Sequence, residues 1–177
     1  MMKRVVLIVT MCLLLGCGYR FTLQETRKGP ERLKTSAISR SIQKIYIAPF
    51  INRTPKRGLE NLLVNALVYK FNTGQGVEVV SKQEAEAFLS GEILSYKTTG
   101  VAYTQGKYTA TGRVVIVLKA RVEDKNGILL WENPQLSDQE DFQIGSNAAQ
   151  TEDNRNTAIR RILQRIAEQV YEELIVM

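Results

Sequence analysis

The chain has 177 residues, 44% of them hydrophobic, and its 24 lysines and arginines against 18 acids give a net charge of +6. That length supports one core of ordinary size and a single folded domain. It has no histidine, which excludes Ser-His-Asp and Cys-His nucleophilic sites and every histidine metal site. Its two cysteines, Cys12 and Cys17, lie too close together to form a useful disulfide framework.

Lys3 and Arg4 precede an uncharged run from Val5 to Leu15. As a helix rising about 1.5 Å per residue, this run reaches roughly half of a ~30 Å hydrocarbon core. A charged n-region followed by a short apolar h-region reads as a signal peptide over residues 1–16, not a membrane span. Leu14-Leu15-Gly16-Cys17 then resembles the bacterial lipobox, in which diacylglycerol is attached to the cysteine sulfur, the peptide is cut before it and the new amine is acylated. Cys17 is thus the expected lipid-attachment residue, with those covalent groups and no other cofactor. Two or three chains, at about 0.8 kcal/mol per buried CH₂, make such anchoring effectively permanent. Gly18 stands where an inner-membrane retention signal has aspartate, which favours the outer membrane.

Residues 17–41 read as lipid anchor and basic tether, with Gly29-Pro30 at the centre of a polar stretch lacking either apolar period. From Gly18 to Arg57 ten basic residues face only Glu25 and Glu31. Such an arm lies favourably on an anionic surface; the alternative is a solvated linker.

Residues 42–177 read as one α+β domain. Ile45 and Ile47 alternate with Lys44 and Tyr46 in a short strand that Pro49 ends. Thr54-Pro55 offers a cap for a helix near 57–72, with Leu59, Leu62, Leu63, Ala66, Leu67 and Phe71 on its apolar face and Asn72-Thr73-Gly74 as its stop. Val77–Val80 reads as a strand, Lys82–Ala87 as a helical turn and Phe88–Leu94 as renewed extended chain. Ser95 to Tyr108 reads as a long hairpin turning at Gln105-Gly106. From Arg113 the alternation is strong: Val114, Ile116, Leu118, Ala120 and Val122 face one way, and Arg113, Lys119, Arg121 and Glu123 the other. Asp124-Gly127 is a turn, with Ile128–Trp131 as the returning strand. A second amphipathic helix opens at Thr151-Glu152-Asp153 and carries Ile159, Ile162, Leu163, Ile166, Ala167, Val170 and Leu174 on its apolar face. These elements predict two amphipathic helices packed on one face of a mostly antiparallel, mixed sheet of four to five strands.

No GxxxxGK[ST] or GxGxxG occurs, and carboxylate pairs such as Glu84/Glu86 and Glu172/Glu173 sit in polar stretches. An enzyme is not expected, and an exported lipoprotein has little access to nucleic acid.

Four stretches carry a resemblance across the chain: Cys17-Gly18-Tyr19-Arg20-Phe21, Ile45 to Thr54 (IYIAPFINRT), Ala85 with Leu89-Ser90-Gly91-Glu92-Ile93, and the closing Ala158-Ile159, Ile166-Ala167, Tyr171-Glu172 and Leu174. In order and spacing they resemble the LPS-assembly lipoprotein family LptE. The resemblance implies an outer-membrane lipoprotein that plugs and supports the LptD β-barrel and assists lipopolysaccharide delivery to the outer leaflet. It also implies lipopolysaccharide binding around the hairpin, here at Tyr103, Lys107 and Tyr108; Lys107 follows the turn where a related pattern has arginine before it. The alternative for these three residues is cross-strand pairing on an exposed hairpin. The Pro-Phe-x-Asn-x-Thr turn also resembles other periplasmic lipoproteins, so the second reading is a regulator of a peptidoglycan synthase or a secretion-pore subunit.

Overall fold

The computed structural model describes residues 42–102 and 111–175. In chain order the elements are β1 (Lys44–Ile47), β2 (Ile51–Asn52), α1 (Leu59–Thr73), β3 (Glu78–Val79), β4 (Ala87–Ala102), β5 (Thr111–Asp124), β6 (Leu129–Gln143) and α2 (Ala148–Ile175). The strands form one mixed sheet in the order β3-β1-β4-β5-β6, with β2 also paired to β4. The three pairings of β1 and β2 are parallel. The long pairings of β4 with β5 and of β5 with β6 are antiparallel.

The sheet has six strands, not four to five, because the line beside β4 is broken between Ile47 and Ile51. Ala48 still donates to the Leu89 carbonyl at 2.9 Å, but Pro49 has no N–H to offer. Phe50 turns into the core, where its ring lies over Gly91 so closely that a Cβ at that glycine would collide with it. The ladder resumes at Ile51, opposite Glu92.

Thr54 does not cap α1. Instead the Asn52 side chain organises the entry: its Oδ1 accepts from the Thr54 N–H at 2.9 Å, and its Nδ2 donates to the Lys56 carbonyl at 2.8 Å and to Glu60 Oε2 at 2.7 Å. Gly58, at φ 87, then takes the left-handed conformation that a side chain would resist, so the helix begins at Leu59. Its buried stripe is Leu59, Leu63, Leu67 and Phe71, one residue every turn. Leu62, read as part of that face, is 39% exposed because it flanks the stripe. Residues 82–84 form a turn that is not helical, and Ala87 already belongs to β4.

On β5 the alternate residues Val114, Ile116, Leu118, Ala120 and Val122 are all buried. They meet the buried faces of both helices in one core that includes Ile159, Ile162, Leu163 and Ile166 of α2. Each buried valine, leucine or isoleucine among them contributes about 1.5–3 kcal/mol. At the β5–β6 turn, Asp124 Oδ1 accepts the N–H groups of Asn126 and Ile128, both at 2.8 Å. β6 then runs to Gln143, well past the Trp131 expected as its end. α2 starts at Ala148 rather than near Thr151, with Asn147 Oδ1 accepting the Gln150 N–H at 2.8 Å.

Candidate functional site: the β4–β5 hairpin and the open sheet face

Past Ile93 the line of β2 stops, and β4, β5 and β6 continue as a three-stranded blade. A bulge between Ile93 and Ser95 resets the faces, so that Tyr96, Thr98 and Gly100 join the core side and Ser95, Lys97 and Thr99 the open side. Residues 103–110 connect the two strands of this hairpin. Tyr103, Lys107 and Tyr108 therefore lie outside the described residues, as does Cys17.

The described part of the open face combines apolar and charged side chains. Val115 and Val117 are half-buried between Lys97, Arg113 and Lys119, while Leu94 is exposed. Arg113 makes a two-pronged contact with Asp141 across β5–β6, Nε to Oδ1 at 2.6 Å and Nη2 to Oδ2 at 3.0 Å. That bond holds the Asp141 carboxyl below the usual carboxylate range and raises the guanidinium's own value. An incoming anion would have to displace Asp141 to reach Arg113. Lys97 is exposed and makes no ion pair among the described residues.

Lower on the same face, the break between β1 and β2 leaves a cleft of about 230 Å³ lined by Pro49, Ile51, Gly91, Glu92, Lys119 and Arg121. Glu92 receives Arg53 at 3.3 Å and Lys119 at 3.5 Å. The Arg53 hydrogen bond, with the Lys119 charge behind it, holds the Glu92 carboxyl low. Elsewhere on β1 and β4, Tyr46 and Phe88 meet edge to face, ring centroids 6.2 Å apart. The face is thus an amphipathic surface whose cations are mostly paired internally. The outward alternation of Arg113, Lys119 and Arg121 was legible in the sequence; Lys97 was not singled out, because the bulge that aims it cannot be read from residue order.

Among the described residues no group of three or more carboxylates or thiols could hold a metal ion. No described helix is long and apolar enough to cross a membrane. The described face offers an amphipathic surface for recognition.

Several solved structures share the fold. A protein from Caulobacter crescentus CB15 aligns with a TM-score of 0.53 at 14% identity, covering 80% of this chain and 92% of that one. One from Xanthomonas campestris aligns at 0.53 and 13%, covering 78% and 88%, and one from Chlamydia trachomatis at 0.50 and 13%, covering 77% and 100%. At such identities they show the fold alone. No curated protein sequence matches the chain. The sequence model of the lipopolysaccharide-assembly family LptE matches residues 42–174, the whole span from the entry of β1 to the last turn of α2, and the chain belongs to that family.

Proposed function

We infer that this protein is a lipoprotein of the outer membrane, anchored through acyl and diacylglycerol groups on Cys17, that sits within and supports an LptD β-barrel and assists delivery of lipopolysaccharide to the outer leaflet. The observation that carries this reading is the family match over residues 42–174. The open face of β4, β5 and β6 supports it, since an amphipathic surface that mixes half-buried valines with charged side chains suits a place inside a barrel. The protein acts by binding and positioning, with no reaction of its own. Lipopolysaccharide is met through Tyr103, Lys107 and Tyr108, between β4 and β5 in the sequence, where a lysine ammonium would pair with phosphate and tyrosine rings would cover the boundary of sugar and acyl chain.

Depletion of the protein in its own cells tests the reading. Lipopolysaccharide at the cell surface should fall while its synthesis continues, and the barrel partner should lose heat-stable folding. Normal surface lipopolysaccharide after depletion would overturn it.

A further inference from the structure

The chain enters the described fold at Ile42, at the end of the sheet where both helices also finish. Phe71 lies in the last turn of α1 and Leu174 in the last turn of α2. There Ile42, Ile45, Phe71, Val77, Val122 and Leu174 line a narrow apolar crevice. The core is least sealed at this point: Ile42 and Val77 are only half-buried, and Leu174, at 8%, is the most exposed of the buried core residues. A wider polar groove continues from the crevice past Phe71 and Val77 to Gln43 and Glu78. Glu78 is exposed on its rim and makes no ion pair among the described residues, although Lys44 is its register partner on β1. The two helix C-termini add partial negative charge at the same end. An apolar slot with a negative margin therefore stands where the chain arrives.

The segment Ala37-Ile38-Ser39-Arg40-Ser41 immediately precedes Ile42 and lies outside the described residues. Ile38 is the large aliphatic residue nearest the entry, and Arg40 is the one cation of the segment. Four steps of chain span at most about 14 Å, so Ile38 stays within reach of the crevice. Positions 38 and 42 share a side in a strand and in a helix alike, because both periods return there after four residues. Ile42 already faces the crevice. Val176 and Met177, the next residues after α2, bring no cation to the negative margin.

We propose that Ala37–Ser41 docks on this end of the domain, with Ile38 sealing the crevice and Arg40 lying toward Glu78 and the helix ends. Docking shortens the free leash from residues 17–41 to residues 17–36, which cuts its reach by roughly 17 Å. It also fixes the leash to the end of the sheet opposite the β4–β5 hairpin, which stands at the far end of the 16-residue β4. The domain is then held with that hairpin directed away from the point where the leash leaves it. This goes beyond the reading of the barrel partner and does not depend on it.

The test uses the full chain in detergent-solubilised membranes of its own cells. Two double variants, Ile38→Cys with Val77→Cys and Ser39→Cys with Val77→Cys, are oxidised mildly and digested without reductant, and the peptides are weighed. The first should join the peptides that hold positions 38 and 77, because docking brings their Cα atoms within about 7 Å. The second, with its cysteine turned away, should join them several-fold less, whereas an undocked leash meets Val77 equally through either position. Trypsin gives a second readout. Cleavage after Arg40 should lag well behind cleavage after Arg27 and Lys28 in the wild-type chain. Ile38→Asp should speed the Arg40 cut about tenfold or more by favouring the open state, with the Arg27 and Lys28 cuts unchanged, and Met177→Asp should leave all three as they are. If Ile38→Asp does not accumulate, the two cysteine pairs decide alone. No joined peptide, equal yields from both pairs, an Arg40 cut as fast as that after Arg27, or an Arg40 cut released by Met177→Asp and not by Ile38→Asp would each overturn the proposal.

Discussion

The Tyr171 hydroxyl holds both main-chain groups of Gln75, accepting its N–H and donating to its carbonyl, each at 2.8 Å. This joins the last turn of α2 to the residues that end α1. The ring packs edge to face on Phe71 at 5.3 Å between centroids, lies under the Lys70 ammonium at 5.2 Å, and comes close enough to Gly74 to leave no space for a Cβ.

Tyr171→Phe therefore removes two hydrogen bonds while keeping the ring, and should cost about 1–2 kcal/mol. Gly74→Ala forces the ring off its seat at a cost of about 1–3 kcal/mol, although the Gly74 backbone itself suits alanine. The double variant should cost less than the sum, since both act on the same contact. Chemical denaturation of the three variants measures this; additive losses would mean the glycine and the tyrosine are not coupled.

The acid side of the stability profile has a defined sign. Glu60, Glu92, Asp124, Asp141 and Glu152 are all held below their ordinary values, Asp141 chiefly by Arg113, Glu152 chiefly by Lys56 and Asp124 chiefly by the Ile128 N–H. Each binds its proton less readily in the folded state, so its contribution is present above the ordinary carboxylate range, about 4, and is lost as pH falls below it. The melting temperature should be flat from about pH 7 to about pH 5 and drop toward pH 3, and Asp141→Asn should shallow that drop. A melting temperature that rises on acidification would contradict the assignment.

What could be read from residue order depended on whether one period ran unbroken. On α2 the seven residues expected on the apolar face, from Ile159 to Leu174, are all buried. The β5 alternation is equally complete. The second half of β6 was missed because its core-side positions do not look apolar: between buried Leu136 and Phe142 stand Asp138 and Glu140. Those two carboxylates reach across to α2, Asp138 to Arg165 at 2.7 Å and Glu140 to Arg165 at 2.9 Å and Arg161 at 3.2 Å. A strand that sets half-buried, salt-bridged acids against a helix carries no period-two signal. The broken β1–β2 line escaped for a related reason, since two residues are too few to show a period. Of the candidate site, the outward cations of β5 were legible, whereas the bulge that aims Lys97 and Tyr96 depends on strand pairing.

Lipidation at Cys17 carries its own test. Cys17→Ser should leave an unlabelled precursor of full length in cells fed a labelled fatty acid, because serine cannot form the thioether on which cleavage depends. Label persisting in the variant would refute the attachment site.

Lys107→Glu separates binding from folding. A lysine whose role is to bind phosphate contributes little to stability, so the melt should shift by less than about 0.5 kcal/mol, while lipopolysaccharide binding to the purified full chain should weaken by roughly 1–3 kcal/mol through loss of a charge-assisted contact and gain of a repulsion. Binding unchanged alongside an unchanged melt would place the contact elsewhere, with Arg27, Lys28, Arg32 and Lys34 of the tether as the next candidates.

The most direct test of the account is purification of the tagged full chain from gently solubilised outer membranes of its own cells, with identification of whatever accompanies it. The account predicts a large β-barrel of the LptD type, retained through washes at high salt because a protein enclosed by a barrel is released slowly. Recovery of a cell-wall synthase or of a homo-oligomeric ring, with no barrel, would contradict it.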